Sequence, residues 1–82
     1  MINRKITIDG YDRISKYTIK NVAIFYDYND RNAGCFYVRS GRHAKLIHDY
    51  GYYVQIRKLF KTGFVTKWFI REFKNDSDRI VL

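Results

Sequence analysis

Apolar and polar side chains alternate along much of this chain, in runs broken by glycine and by Asn/Asp clusters, with no proline anywhere. A period of two puts successive side chains on opposite faces of a strand. Residues 4–8 (Arg4, Lys5, Ile6, Thr7, Ile8) read as a first strand, and Asp9-Gly10 after it is a tight-turn signal. Residues 16–28 are rich in β-branched and aromatic residues, with Asn21 marking a bulge or bend. The cluster Asn29-Asp30-Arg31-Asn32-Ala33-Gly34 reads as a loop leading into Cys35-Phe36-Tyr37-Val38-Arg39, so a hairpin is expected over 16–39.

Ser40 to Tyr50 is the most helix-like stretch. Ser40 can cap it, Ala44, Leu46, Ile47 and Tyr50 give a crude helical face, and Gly51 can end it. A second hairpin is expected over 52–73, with Lys61-Thr62-Gly63 as a three-residue loop that puts Phe60 opposite Phe64. In that register Ile56 faces Trp68 and Val54 faces Ile70 on an apolar side. Arg57 faces Lys67, Gln55 faces Phe69 and Tyr53 faces Arg71 on the other. Asp76-Ser77-Asp78 reads as a turn and Arg79–Leu82 as a short last strand. The expected fold is mainly β: a small single-domain antiparallel sheet over 1–82, with hairpins 16–39 and 52–73 and a short helix at 40–50. The alternative is α+β with a C-terminal helix at 66–74, where Trp68, Phe69, Glu72 and Phe73 share one helical side.

Composition supports a folded but thinly cored domain. A chain of 82 residues buries only about 60% of its unfolded surface, and its apolar material is largely 8 Tyr, 6 Phe and β-branched residues. The single cysteine, Cys35, excludes an intramolecular disulfide and fits a reducing compartment. The Met1–Ile6 segment starts a strand-like alternation, not a secretory leader. No run reaches the roughly 18 apolar residues of a membrane span. A cytoplasmic protein with no membrane partner is therefore expected.

Charge changes the picture most. The formal net charge is +8 with a pI near 9.8, which attracts polyanions. From Arg39 to Lys74 there are nine cations against Asp49 and Glu72, while the first 38 residues are nearly balanced. The hairpin face with Tyr53, Gln55, Arg57, Lys67, Phe69 and Arg71 combines cations with rings. That combination holds phosphates and stacks bases on sheet platforms that bind single strands. The expected nucleic-acid-binding residues are Arg57, Lys58, Lys61, Lys67 and Arg71 for phosphate, and Tyr53 and Phe69 for stacking. Arg39 and Arg42 form a second candidate in Arg39-Ser40-Gly41-Arg42-His43. The same face read structurally is a solvated sheet surface with a few amphipathic aromatics.

Catalysis is not expected. His43 and His48 are the only histidines, and at five residues apart on a helix they diverge by about 140°. No nucleophile-elbow, Walker or zinc-binding motif is present, so no metal or cofactor is expected. Cys35 reads as a small buried hydrophobe. In composition, the abundance of Ile, Asn, Lys, Tyr, Asp and Phe without Pro resembles small accessory proteins of large AT-rich bacteriophages. That resemblance implies a host-takeover role. The expected function is nucleic-acid binding, RNA favoured. The alternative is a virus-encoded, antitoxin-like inhibitor of a host toxin, nuclease or defence complex, with a protein or RNA–protein target. Exposed edge strands also predict a homodimer.

Overall fold

A computed structural model describes residues 3–72, and its dominant feature is one antiparallel sheet that buries a single face. The strands are β1 (Arg4–Ile8), β2 (Tyr11–Asp12), β3 (Tyr17–Thr18), β4 (Asn21–Phe25), β5 (Cys35–Arg39), β6 (His43–Asp49), β7 (Tyr53–Lys58), β8 (Lys61–Thr66) and β9 (Ile70–Glu72). Seven of them form the sheet, in the order β5-β4-β8-β7-β6-β1-β9, and β2-β3 form a small separate ribbon.

The core follows from the alternation. Ile6 and Ile8, Val22 and Ile24, Phe36 and Val38, Ala44 and Leu46, and Val54 and Ile56 are each two residues apart. All of them, with Val65, are buried. Cross-strand pairing aligns them: Ile6 with Ala44, Leu46 with Ile56, Val54 with Val65, Ile24 with Phe36 and Val22 with Val38. Among the described residues no helical layer covers this face, so the sheet rolls over its own apolar side chains. Further backbone bonds extend the β1–β6 and β1–β9 pairings past the strand ends. Ile8 N–H donates to the Arg42 carbonyl at 2.9 Å, Gly41 N–H to that of Ile8 at 2.7 Å, and Asp9 N–H to that of Phe69 at 2.8 Å. Phe69 and Ile70 pack against the core from the C-terminal side.

The first hairpin forms as expected, and its register runs from Asn21 opposite Arg39 through Phe25 opposite Cys35. The chain breaks just before Asn21, dividing the 16–28 run into β3 and β4. The intervening loop owes its shape to its own side chains. Asp27 Oδ1 accepts from Asn29 N–H and Asp30 Oδ1 from Asn32 N–H, both at 3.0 Å. A 3-10 turn over Arg31–Ala33 follows the Asp30 cap.

Four expectations are corrected. The helix at 40–50 is absent: this stretch is β6, with Ala44 and Leu46 inward and Lys45 outward. A register shift between Leu46 and His48 inserts Ile47 as an extra residue, and that insertion is why a strand here imitates a helical face. Ser40 Oγ accepts from Gly10 N–H at 3.0 Å and caps no helix. The C-terminal helix alternative is also absent within the described residues, where Lys67–Phe69 is a 3-10 turn leading into β9.

The third correction is the Asp9-Gly10 turn. Gly10 lies alongside Ile19, whose N–H donates to its carbonyl at 2.9 Å. The turn falls instead between β2 and β3, where Lys16 has φ +58°. The fourth concerns the second hairpin. Its turn is Leu59-Phe60, with Lys58 opposite Lys61, Arg57 opposite Thr62, Ile56 opposite Gly63, Gln55 opposite Phe64 and Tyr53 opposite Thr66. Gly63 serves packing, not the turn. A Cβ there would lie 2.8 Å from both Ile24 Cγ2 and the Phe25 carbonyl oxygen. The turn at 76–78 and the last strand at 79–82 fall outside the described residues.

Candidate functional site

The corrected register regroups the outward side chains. Lys5 lies opposite Lys45, and Lys45 opposite Arg57, so three cations form a row across β1, β6 and β7. The expected juxtaposition of two cations across a ladder is therefore present at Arg57, but its partner is Lys45 and not Lys67. Like charges directly across a sheet destabilise it, and all three side chains are exposed.

Two grooves meet at the β7–β8 turn. One, about 400 Å³, is lined by Lys5, His43, Ala44, Lys45, Arg57, Lys58 and Leu59. The other, about 560 Å³, runs between the turn and β5 and is lined by Phe36, Tyr37, Val38, Arg39, Arg42, Lys58, Leu59, Phe60 and Lys61. Lys58 and Leu59 belong to both walls. Among the described residues, no Asp or Glu lines either groove. Lys58 Nζ donates to the His43 carbonyl at 2.6 Å, which ties the turn to the start of β6. Lys61 Nζ sits 5.7 Å from the centre of the Phe36 ring, a cation–π arrangement that aims it along the second groove.

The structure thus unites five of the nine sequence-derived candidates: Arg39, Arg42, Arg57, Lys58 and Lys61. The other four lie elsewhere. Lys67 Nζ bonds Asp49 Oδ2 at 2.8 Å. The Lys67 ammonium, helped by the Gly51 N–H, holds the Asp49 carboxyl below the usual carboxylate range. Arg71 Nε donates to Asp9 Oδ2. Partial burial pushes the Asp9 carboxyl up, but Arg71 and the Tyr11 N–H together outweigh it and hold the carboxyl low. Phe69 is half-buried, packs against the core and lines neither groove.

Tyr53 is outward but engaged. Its ring stacks on Tyr28 at 3.9 Å and on Tyr50 at 4.9 Å, and meets Phe64 edge-on at 5.9 Å. His48 tilts onto Tyr50 at 4.4 Å. His43 Nδ1 lies 3.1 Å from Thr7 Oγ1. The two histidines stand near opposite ends of β6, roughly 15 Å apart at the rise of a strand, so they do not share a reacting atom. Cys35 is half-buried, opposite Phe25.

Sequence reasoning missed Lys5, Lys45, Tyr37, Leu59 and Phe60. Lys45 was hidden by the helical reading of 40–50. The apolar pair was hidden by the preference for a glycine-bearing loop. The available signal was Lys58-Leu59-Phe60-Lys61 itself, two large apolar residues bracketed by lysines between two β-rich runs. Leu59 and Phe60 are 77% and 99% exposed. The chain matches no family model, curated protein or solved structure with which it was compared. Among the described residues, no helix is long and apolar enough to cross a membrane.

Proposed function

We propose that this protein binds nucleic acid, RNA foremost, through the two basic grooves that meet at the Lys58–Lys61 turn, and that it acts by binding and not by catalysis. The observation that carries this reading is the seven Lys and Arg residues lining the adjoining grooves, with no carboxylate of the described residues among the lining. Described acids serve elsewhere: Asp49 and Asp9 bond Lys67 and Arg71, and Asp27 and Asp30 shape the loop after β4. A phosphate backbone supplies a row of anions to such grooves, and displaced counterions make the affinity fall with salt.

The test is purification at moderate salt with and without nuclease, followed by sequencing of any co-purified nucleic acid and binding of labelled oligonucleotides over a salt series. The expected result is salt-sensitive RNA in the untreated sample. Protein free of nucleic acid, with no oligonucleotide affinity at low salt, overturns the proposal. A discrete protein partner that survives nuclease and high salt would favour the inhibitor reading, in which the same cations meet an acidic host protein.

A further inference from the structure

The β7–β8 turn departs from ordinary turn chemistry. Two-residue hairpin turns that need a positive φ favour Gly, Asn or Asp. Here that position is Leu59, at φ +59°. A bulky apolar residue rarely occupies this conformation, and strain of this kind gathers where a surface meets a ligand. Phe60 follows it, almost wholly exposed. Neither side chain belongs to the buried core, so burial within this fold does not explain their identity. Leu59 forms a ridge shared by both basic grooves, and Phe60 and Tyr37 line the groove beside β5.

We infer that Leu59 and Phe60 form a wedge that enters an unstacked base step of a single strand whose phosphates pass through both grooves, Phe60 stacking on one base. The inference rests on the nucleic-acid reading above and specifies its ligand. Charge complementarity selects the occupant: Arg39, Arg42 and Lys61 flank the ridge on one side, and Lys45 and Arg57 on the other. A threaded polyanion meets both sets, whereas a flat anionic bilayer engages only the cations beside the tip. An acidic peptide supplies charge but not a base's flat π-face, on which an exposed aromatic ring stacks. Paired steps within a duplex fit less well, because opening them costs unstacking energy.

The experiment uses the full chain with a single-stranded RNA oligonucleotide carrying 2-aminopurine, its duplex counterpart and phosphatidylserine vesicles. The wild-type protein is expected to bind the single strand more tightly than the duplex and to change the 2-aminopurine emission. Phe60→Ala is expected to lose about tenfold in single-strand affinity, the worth of one stacked base, with an unchanged salt slope because every cation stays in place. Leu59→Gly relieves the positive φ. It should therefore keep or raise the Tm while weakening binding and the emission change, which separates wedge from fold. If both variants match wild type in affinity and emission, the wedge is wrong and the groove reading stands. If wild type binds no oligonucleotide, both readings fall. Preference for the duplex, or vesicle binding abolished in Phe60→Ala while RNA binding is not, overturns the wedge.

Discussion

The two ends of β7 carry similar residues put to different uses. At its start, Tyr53 is stacked against Tyr28 and Tyr50, and Lys67 nearby is paired with Asp49. At its end, Arg57 and Lys58 face grooves that no described carboxylate lines, beside Leu59 and Phe60, which stand in solvent. Both ends are aromatic or apolar and both carry cations. The proposed binding surface lies at the second. Residue type alone therefore does not mark a binding surface. What distinguishes the two ends is the kind of partner, a carboxylate for Lys67 and a backbone carbonyl for Lys58.

The comparison breaks most readily at the grooves. The double substitution Arg57→Glu and Lys61→Glu is expected to lower RNA affinity by more than about 100-fold and to reduce the salt slope by about two units, one for each phosphate no longer neutralised. Circular dichroism and Tm should stay near wild type, since a carboxylate at position 57 relieves the repulsion with Lys45 across the ladder. Wild-type affinity in that protein would place the binding surface elsewhere.

Gly63→Ala tests what holds the turn in place. The added Cβ would crowd Ile24 Cγ2, the Phe25 carbonyl and Phe36, so a loss of about 1–3 kcal/mol is expected in urea unfolding. An unchanged midpoint would mean that β4 and β8 yield easily at this crossing.

Tyr53→Ala sharpens the contrast between the ends. Removing the middle of the ring cluster is expected to cost about 1–3 kcal/mol of stability while leaving RNA affinity within about twofold where the protein is folded, since the Tyr53 ring is stacked on Tyr28 and Tyr50 and lines neither groove. A large affinity loss at full folding would return Tyr53 to the binding surface.

The smallest effect belongs to the Lys67–Asp49 pair, which is exposed and so contributes little. The Asp49 carboxyl is held low in the folded state. Its contribution is thus present above the unfolded value of about 4 and disappears as pH falls through the folded value. Asp49→Asn should therefore be slightly less stable than wild type at neutral pH and equal to it in strong acid. Thermal melts across roughly pH 2–7 read this difference, and a gap that persists at the acid end would mean that the effect is not the charge pairing with Lys67.

Much of the strand layout was legible. The strands that hold Ile6 and Ile8, Val22 and Ile24, and Phe36 and Val38 follow from alternation and from a loop whose Asp side chains bond their own backbone, while their pairing came from the structure. The second hairpin was legible as a hairpin but not in register. A local preference for glycine in turns competed with a distant demand, the approach of Gly63 to Ile24 and Phe36, and the distant demand won. The helical reading of 40–50 failed for a related reason. The bulge at Ile47 interrupts the period of two, and only the ladders to β1 and β7 reveal the strand.

By itself, then, the sequence determined a mainly β fold, the loop at 29–34 and the crowding of cations into the C-terminal half. These are local or summed properties, set by side-chain period, Asx chemistry and composition. The tertiary structure decided which cations share a surface. It moved Arg57 beside Lys45, withdrew Phe69 to the core, paired Lys67 and Arg71 with carboxylates, and raised Leu59 and Phe60 as a tip between two grooves. Each of these depends on strand register and on the roll of the sheet, which arise from the packing of residues far apart in the chain.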